Sequence, residues 1–196
     1  DKTLDNNKNF CAIKGDIRII EQLPDDIDIL VHCATEHPEL AINIESMYEN
    51  NVKSTSKIFE QSRKYNINKI IYFSSTAIYG SIESSVLNEN TIINNPDKYG
   101  LSKFYGEKIL FDMNKHDSNI NTLVLRLPAV VGKKSHSNFL SDVIQKIKSG
   151  EKIQINNPTS LFNGVIHIED LCNYLLYVLN IFPEGYNVAT IASSNP

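Results

Sequence analysis

Two stretches of this chain carry side chains that can move a proton. The run IIYFSSTAIYG at residues 70–80 reads as a buried strand that delivers Ser74, Ser75 and Thr76 at its carboxyl end. After a loop, KYGLSKFYGEK at residues 98–108 reads as a helix, and Tyr99 and Lys103 lie four positions apart on one of its faces. A hydroxyl, a phenol and an ammonium can therefore converge. A free phenol has a pKa of about 10, so accepting a proton near pH 7 requires a fall of about 3 units, roughly 4 kcal/mol. One cation about 4 Å away supplies about 1 kcal/mol in water but about 4 at an effective dielectric of 20. Lys103 can activate Tyr99 only inside a partly desolvated cleft.

The spacing alone decides little. With 9 Tyr and 16 Lys in the chain, chance predicts about 0.7 such pairs, and Tyr65 with Lys69 is a second match. Context separates them: Tyr65 sits where a helix gives way to Asn66 and Asn68, whereas Tyr99 opens a long helix. Leu101, Tyr105, Ile109 and Met113 recur behind it at helical spacing and are expected to bury the opposite face, leaving Tyr99 and Lys103 toward a cleft.

The elements that must position these groups follow from the hydrophobic pattern. The 196 residues, 41% hydrophobic and 21% charged, suit one domain, or one domain with a small appendage. Residues 10–13, 28–34 (DILVHCA), 69–73 and 121–127 (NTLVLRL) are apolar runs of buried parallel strands. A helix is expected from Ile44 through Met47, Tyr48, Asn51, Val52, Thr55, Ile58 and Phe59. Asn51 is the polar member of that face and is expected to bond a backbone group. Residues 81–97 form a long loop. Asn138 opens an amphipathic helix that stops at Ser149 and Gly150. Residues 152–155 and 165–168 read as short strands, and a helix over 171–181 and a last strand near Asn187 and Val188 follow. Strands alternating with helices predict βαβ units and a parallel sheet, with a ligand site at the carboxyl ends of the strands, where Ala34, Ser75 and Pro128 fall.

Composition narrows the function classes. A formal charge of -4 and a pI near 5.7 argue against nucleic-acid binding through a general basic face. Cys11, Cys33 and Cys172 are odd in number and widely spaced, which predicts buried free thiols in a reducing compartment. The start has no signal-peptide pattern and no apolar run reaches membrane length, so a cytoplasmic protein is expected. The histidines His32, His37, His116, His136 and His167 show no metal-ligand spacing. Ser75, His167 and Asp170 could be hydrolase groups, but no G-x-S-x-G elbow surrounds Ser75.

Seven pieces in order resemble the extended short-chain dehydrogenase/reductase family, the NAD-dependent epimerases and dehydratases of nucleotide sugars. They are GDI at 15–17, VHCAT at 31–35, NNV at 50–52, SSTAIYG at 74–80, YGLSK at 99–103, LRLPAVVG at 125–132 and VIHIEDL at 165–171. The resemblance implies a Rossmann-like doubly wound α/β sheet over residues 1–128 and a small substrate lobe, with returning Rossmann elements, over 129–196. It implies NAD or NADP as cofactor: Asp16 and Ile17 beside the adenine, Ala34 and Thr35 along the phosphates and ribose, Asn51 supporting that loop, and Pro128 near the nicotinamide. Ser75, Tyr99 and Lys103 would be catalytic, removing a proton from a sugar hydroxyl as hydride passes to the nicotinamide, with Ser75 and Thr76 near the substrate and Asn138 near its phosphate.

The same resemblance implies a homodimer packed through the helices near 44–65 and 99–116. Ala129 stands where many members have Asn, Asn163 where they have Arg, and Thr76 and Ala77 where dehydratases have an acidic pair; an epimerase or ketone reductase fits better than a dehydratase. The family's opening strand, glycine turn and helix have no counterpart here, so a truncated piece of a longer protein is expected. A non-catalytic binding or regulatory module of the same fold is the competing expectation.

Overall fold

The computed structural model describes residues 9–38, 40–41, 43–83, 86–133, 135, 138–154 and 164–193. Four strands, β1 (Leu30–His32), β2 (Lys69–Ser75), β3 (Asn121–Leu127) and β6 (Tyr186–Thr190), form one sheet in the order β1-β2-β3-β6, parallel throughout. β2 and β3 pair over their whole length, from Lys69 opposite Asn121 to Ser75 opposite Leu127. A second, two-stranded parallel sheet pairs β4 (Ala129–Val131) with β5 (Val165–His167).

Both faces of the larger sheet are covered, which is why β2 and β3 read as continuous apolar runs. On one side Ile70, Tyr72 and Val124 pack with Ile58, Phe59, Leu110 and Met113. These come from α2 (Ser54–Lys64) and α3 (Lys98–His116). On the other side Ile71, Leu123, Leu125 and Leu127 pack with Leu171 and Val178 of α5 (Ile168–Asn180). The result is a Rossmann-like α/β fold with helices on both faces of a parallel sheet.

The expected helix around Asn51 runs without a break from α1 (Ile44–Met47) through a π-helical turn (Tyr48–Lys53) into α2. Asn43 caps its start, accepting from the Ser46 N–H at 2.8 Å. α4 (Phe139–Ser149) opens on a capping box made by Asn138 and Ser141 and stops at Gly150, whose φ of 71° suits the residue that pays least for that conformation.

Several expectations are corrected. Residues 10–13 are not a strand: β1 is the outer strand of the sheet, and no described strand lies beyond it to pair with them. Phe10 and Ile13 are accordingly 44% and 70% exposed. Residues 152–154 are irregular, and Ile155 lies outside the described residues. All three cysteines are free and exposed rather than buried. Cys11 lies in the unpaired segment, Cys33 follows the end of β1, and Cys172 is on an outward-facing part of α5. Finally, α3 buries only part of the face its apolar spacing indicates: Met113 is buried and Ile109 packs against the core, but the earlier members of that face do not. Ser102, Lys103, Gly106, Glu107, Leu110 and Met113 face inward, while Leu101 and Tyr105 are 42% and 51% exposed.

Two glycines explain that orientation. A Cβ on Gly106 would lie 2.3 Å from the Tyr72 hydroxyl, and one on Gly100 would lie 2.2 Å from the Ala77 carbonyl oxygen. Helix α3 thus presses its backbone against β2 and the turn that follows it, carrying Lys103 and Glu107 into the interior. No described helix is long and apolar enough to cross a membrane.

Candidate functional site

The carboxyl ends of β1, β2 and β3 open into a cavity of about 820 Å³. Thr35, Ser75, Thr76, Tyr99, Lys103, Pro128 and Asn138 all line it. Of the other residues expected to serve a ligand, Ala34 and Asn51 lie outside its wall. Asp16 and Ile17 belong to the segment before β1, where both carboxylate oxygens of Asp16 accept from Arg18. Arg18 also donates to Asn50 Oδ1 at 3.2 Å, tying this segment to the π-helical turn. Asn163 lies outside the described residues.

Each wall residue is held by local structure. Ser75 ends β2 and caps a short 3₁₀ turn (Thr76–Tyr79): its Oγ accepts from the Ala77 N–H at 3.1 Å. With one lone pair so used, its hydroxyl proton is free to point at a ligand. Asp97 caps α3 through the Gly100 N–H at 2.7 Å, fixing the turn that carries Tyr99. Asn138 holds the start of α4 with its carbonyl oxygen, accepting from Leu140 and Ser141 at 3.1 Å each, and its amide donates to the Val130 carbonyl at 3.4 Å.

Asn51 acts one layer behind the wall. Its Oδ1 accepts from the Glu36 N–H at 2.6 Å and from the Thr35 hydroxyl at 3.2 Å, while its amide donates to the Glu36 carbonyl at 3.1 Å and to Ser102 Oγ at 3.2 Å. The buried amide therefore clamps the loop after β1 to helix α3, and the π-helical turn places it there.

The electrostatics centre on Lys103, which is 3% exposed. Its ammonium sits 4.8 Å from the centre of the Tyr72 ring. Burial lowers its pKa to about 8, against smaller opposing effects of Cys33 and Glu107. Burial also pushes the Tyr99 phenol up, with a hydrogen bond to Thr35 pulling the other way and Asp97 adding to the rise. The phenol rests as an acid. The partly desolvated cleft that cationic activation requires is present, because the ammonium is buried close to the same wall.

Residues that the sequence pattern did not single out complete the site. Cys33, His37 and Lys133 also line the cavity, and the His37 ring centre lies 6.1 Å from that of Tyr99. Beneath the wall, Glu107 and Arg126 form a buried two-point ion pair, with N–O distances of 3.1 and 2.8 Å. Ser74 Oγ donates to Glu107 at 2.5 Å, and Arg126 donates to the Tyr79 hydroxyl at 2.9 Å. The signal for this network was an arginine inside the apolar run of β3 and an acid one helical turn beyond Lys103. Among the described residues no group of three His, Cys, Asp or Glu gathers as a metal site would.

A model of the NAD dependent epimerase/dehydratase family matches residues 3–189. The chain belongs to this family. Over 208 residues it is 26% identical to a UDP-glucose 4-epimerase of Cyamopsis tetragonoloba, covering 90% of this chain and 59% of that protein. It is 24% identical over 178 residues to an N-acetyl-alpha-D-glucosaminyl-diphospho-ditrans,octacis-undecaprenol 4-epimerase of Escherichia coli O157:H7, covering 89% and 53%. The fold matches a UDP-glucuronic acid 4-epimerase from Bacillus cereus solved in complex with NAD, with a TM-score of 0.86 and 21% identity, over 99% of this chain and 64% of that one. The family member described here thus spans less than two thirds of each of these proteins.

The residues present fit the nicotinamide and ribose end of the family's cofactor. A hydroxyl, a phenol and a buried ammonium line one cavity at the carboxyl ends of parallel strands, where such ligands bind. A glycine turn leading into a helix, the usual seat of a pyrophosphate, is not found among the described residues.

Proposed function

We propose that this chain serves an NAD-dependent epimerase acting on a nucleotide-linked sugar. The observation that carries this reading is that Ser75, Tyr99 and the buried Lys103 all line one cavity. Bound NAD would supply the hydride acceptor, held by Thr35, Tyr99, Lys103 and Pro128. Tyr99 takes the proton from a sugar hydroxyl. Ser75, its oxygen already fixed by the Ala77 N–H, donates a hydrogen bond to the same substrate oxygen and orients it. Lys103 provides the positive charge that makes the phenol a base, and the surrounding burial keeps that charge from being screened. Thr76 and the Asn138 rim face the sugar nucleotide. The absence of an acidic pair at Thr76 and Ala77 favours epimerisation over dehydration.

The test is interconversion of UDP-glucose and UDP-galactose by the native polypeptide that carries this chain, with NAD present. Tyr99→Phe should keep the fold and lower turnover by a factor on the order of 10² to 10⁴. Tyr65→Phe, the chance match to the same spacing, should change nothing. Full activity in Tyr99→Phe would refute the assignment. Tight binding of the sugar nucleotide without turnover in the wild type would favour a binding module instead.

A further inference from the structure

The buried pair Glu107 and Arg126 lies outside the cavity wall, yet it holds one wall residue, Ser74, from behind. Tyr99, Lys103 and Glu107 follow one another at steps of four along α3, so Glu107 stands one turn below Lys103 on the same inward stripe. Its Oε1 accepts from Ser74, the residue before Ser75 on β2, at 2.5 Å and from Arg126 Nε at 3.1 Å. Its Oε2 accepts from Arg126 Nη2 at 2.8 Å. Arg126 continues outward to the Tyr79 hydroxyl at 2.9 Å and the Glu89 carbonyl at 3.2 Å. The Tyr79 hydroxyl in turn meets Thr190 at 2.7 Å. One ion pair thus joins α3, the end of β2, the loop that carries Glu89, and β6.

We propose that Glu107, held by Arg126, is a positioning residue that keeps the Lys103 ammonium charged and the end of β2 in place. A buried ion pair of this kind contributes little stability over an apolar substitute, so its presence here calls for another role. The groups facing the Lys103 ammonium are few. Tyr72 approaches from β2 with its ring face, Cys33 from the segment after β1, His32 from β1, and Glu107 from its own helix. His32 is kept neutral by burial, with a pKa of about 3, and the Tyr72 and Tyr99 phenols are both raised chiefly by burial. Glu107 is therefore the carboxylate in this set, and Arg126 stands on its far side. Burial favours loss of the Lys103 proton; Cys33 and then Glu107 oppose that loss. The consequence for turnover rests on the function proposed above, whereas the charge state of Lys103 does not.

The experiment is an NMR titration of the Lys103 ε-methylene in the native polypeptide, assigned by its loss in Lys103→Met. Glu107→Gln should move the midpoint down from about 8 by on the order of one pH unit. Glu107→Asp, which keeps the charge, should return the midpoint most of the way to the wild-type value. A purely structural pair predicts a lower melting temperature with an unmoved midpoint, and that outcome overturns the proposal. Should Glu107→Gln fail to fold, Glu107→Gln with Arg126→Met removes both charges and leaves no unpaired buried ion. Its midpoint should also fall below the wild type, and an unchanged value refutes the proposal equally. In an active enzyme the upper limb of the pH–rate profile should move with the midpoint. Because the titration needs no turnover, a shifted midpoint in a protein without epimerase activity rejects the function and leaves the positioning role standing. An active wild type whose Glu107→Gln midpoint stays put does the reverse.

Discussion

Replacing Lys103 by Met should make the ligand-free fold more stable at neutral pH while abolishing its chemistry. Lys103 is 3% exposed, and burial holds its pKa at about 8 against an ordinary value of 10.5. At pH 7 the ammonium therefore costs the fold about 3 kcal/mol, because a tenfold change in proton affinity is worth about 1.36 kcal/mol. The ammonium also lies over the Tyr72 ring, a contact worth about 1 kcal/mol that Met forfeits. A net gain of about 2 kcal/mol is expected for Lys103→Met.

The pH dependence gives the sign. Between the folded and unfolded pKa values the unfolded chain binds more protons, so wild-type stability rises with pH across that window. The penalty is complete below about 8 and gone above 10.5, so the advantage of Lys103→Met should shrink through that range. Urea unfolding of both proteins at pH 7 and near pH 10, taken as a difference, cancels the other titrating groups. A variant less stable than the wild type at pH 7, or a difference that does not change with pH, would refute this account of the site.

Three further outcomes are expected. Gly106→Ala should destabilise the fold by about 1–3 kcal/mol, because the new methyl group meets the Tyr72 ring and hydroxyl; thermal melting against Gly150→Ala, whose site is open, separates crowding from backbone strain. His32, its pKa lowered to about 3 by burial, should cost the fold about 2 kcal/mol on going from pH 7 to pH 5, since the unfolded imidazole gains a proton that the folded one refuses; His32→Gln should flatten that part of the stability curve in acid titration. Ile44, Tyr48, Leu101, Tyr105 and Phe111 form exposed apolar surface on α1, the π-helical turn and α3, so the native polypeptide should sediment as a homodimer and Tyr105→Glu should drive it toward monomer.

What the sequence revealed follows from which forces write themselves into periodicity. β2 and β3 were legible because burial on both faces leaves an unbroken apolar run, and Asn138 and Gly150 marked α4 because caps need particular residue types. Residues 10–13 look the same as those strands, but a strand also needs a partner, and partners do not show in a local pattern. On α3 the rule failed for a related reason. Lys103 and Glu107 are charged yet buried, and Leu101 and Tyr105 are apolar yet exposed, so apolar spacing held only for Ile109 and Met113. Tyr99, Lys103 and Ser75, which line one cavity, were singled out because their types and order matched a familiar arrangement. Arg126 and Glu107 could not, because their pairing links residues 19 apart in the chain.

The π-helical turn at Tyr48–Lys53 also bears on how the length of this segment can vary. A turn of this kind takes up one more residue than an α-helical turn while the flanking helix keeps its phase. Losing one residue here would therefore leave Ile58 and Phe59 seated against the sheet and the Asn43 cap unchanged. What would be lost is the reach of Asn51 to Glu36. A single deletion in this turn is thus a route by which a descendant could release the loop after β1 while its core stays as it was, and the count of residues between the Asn43 cap and Ser54 becomes a readable mark of whether that loop is still clamped.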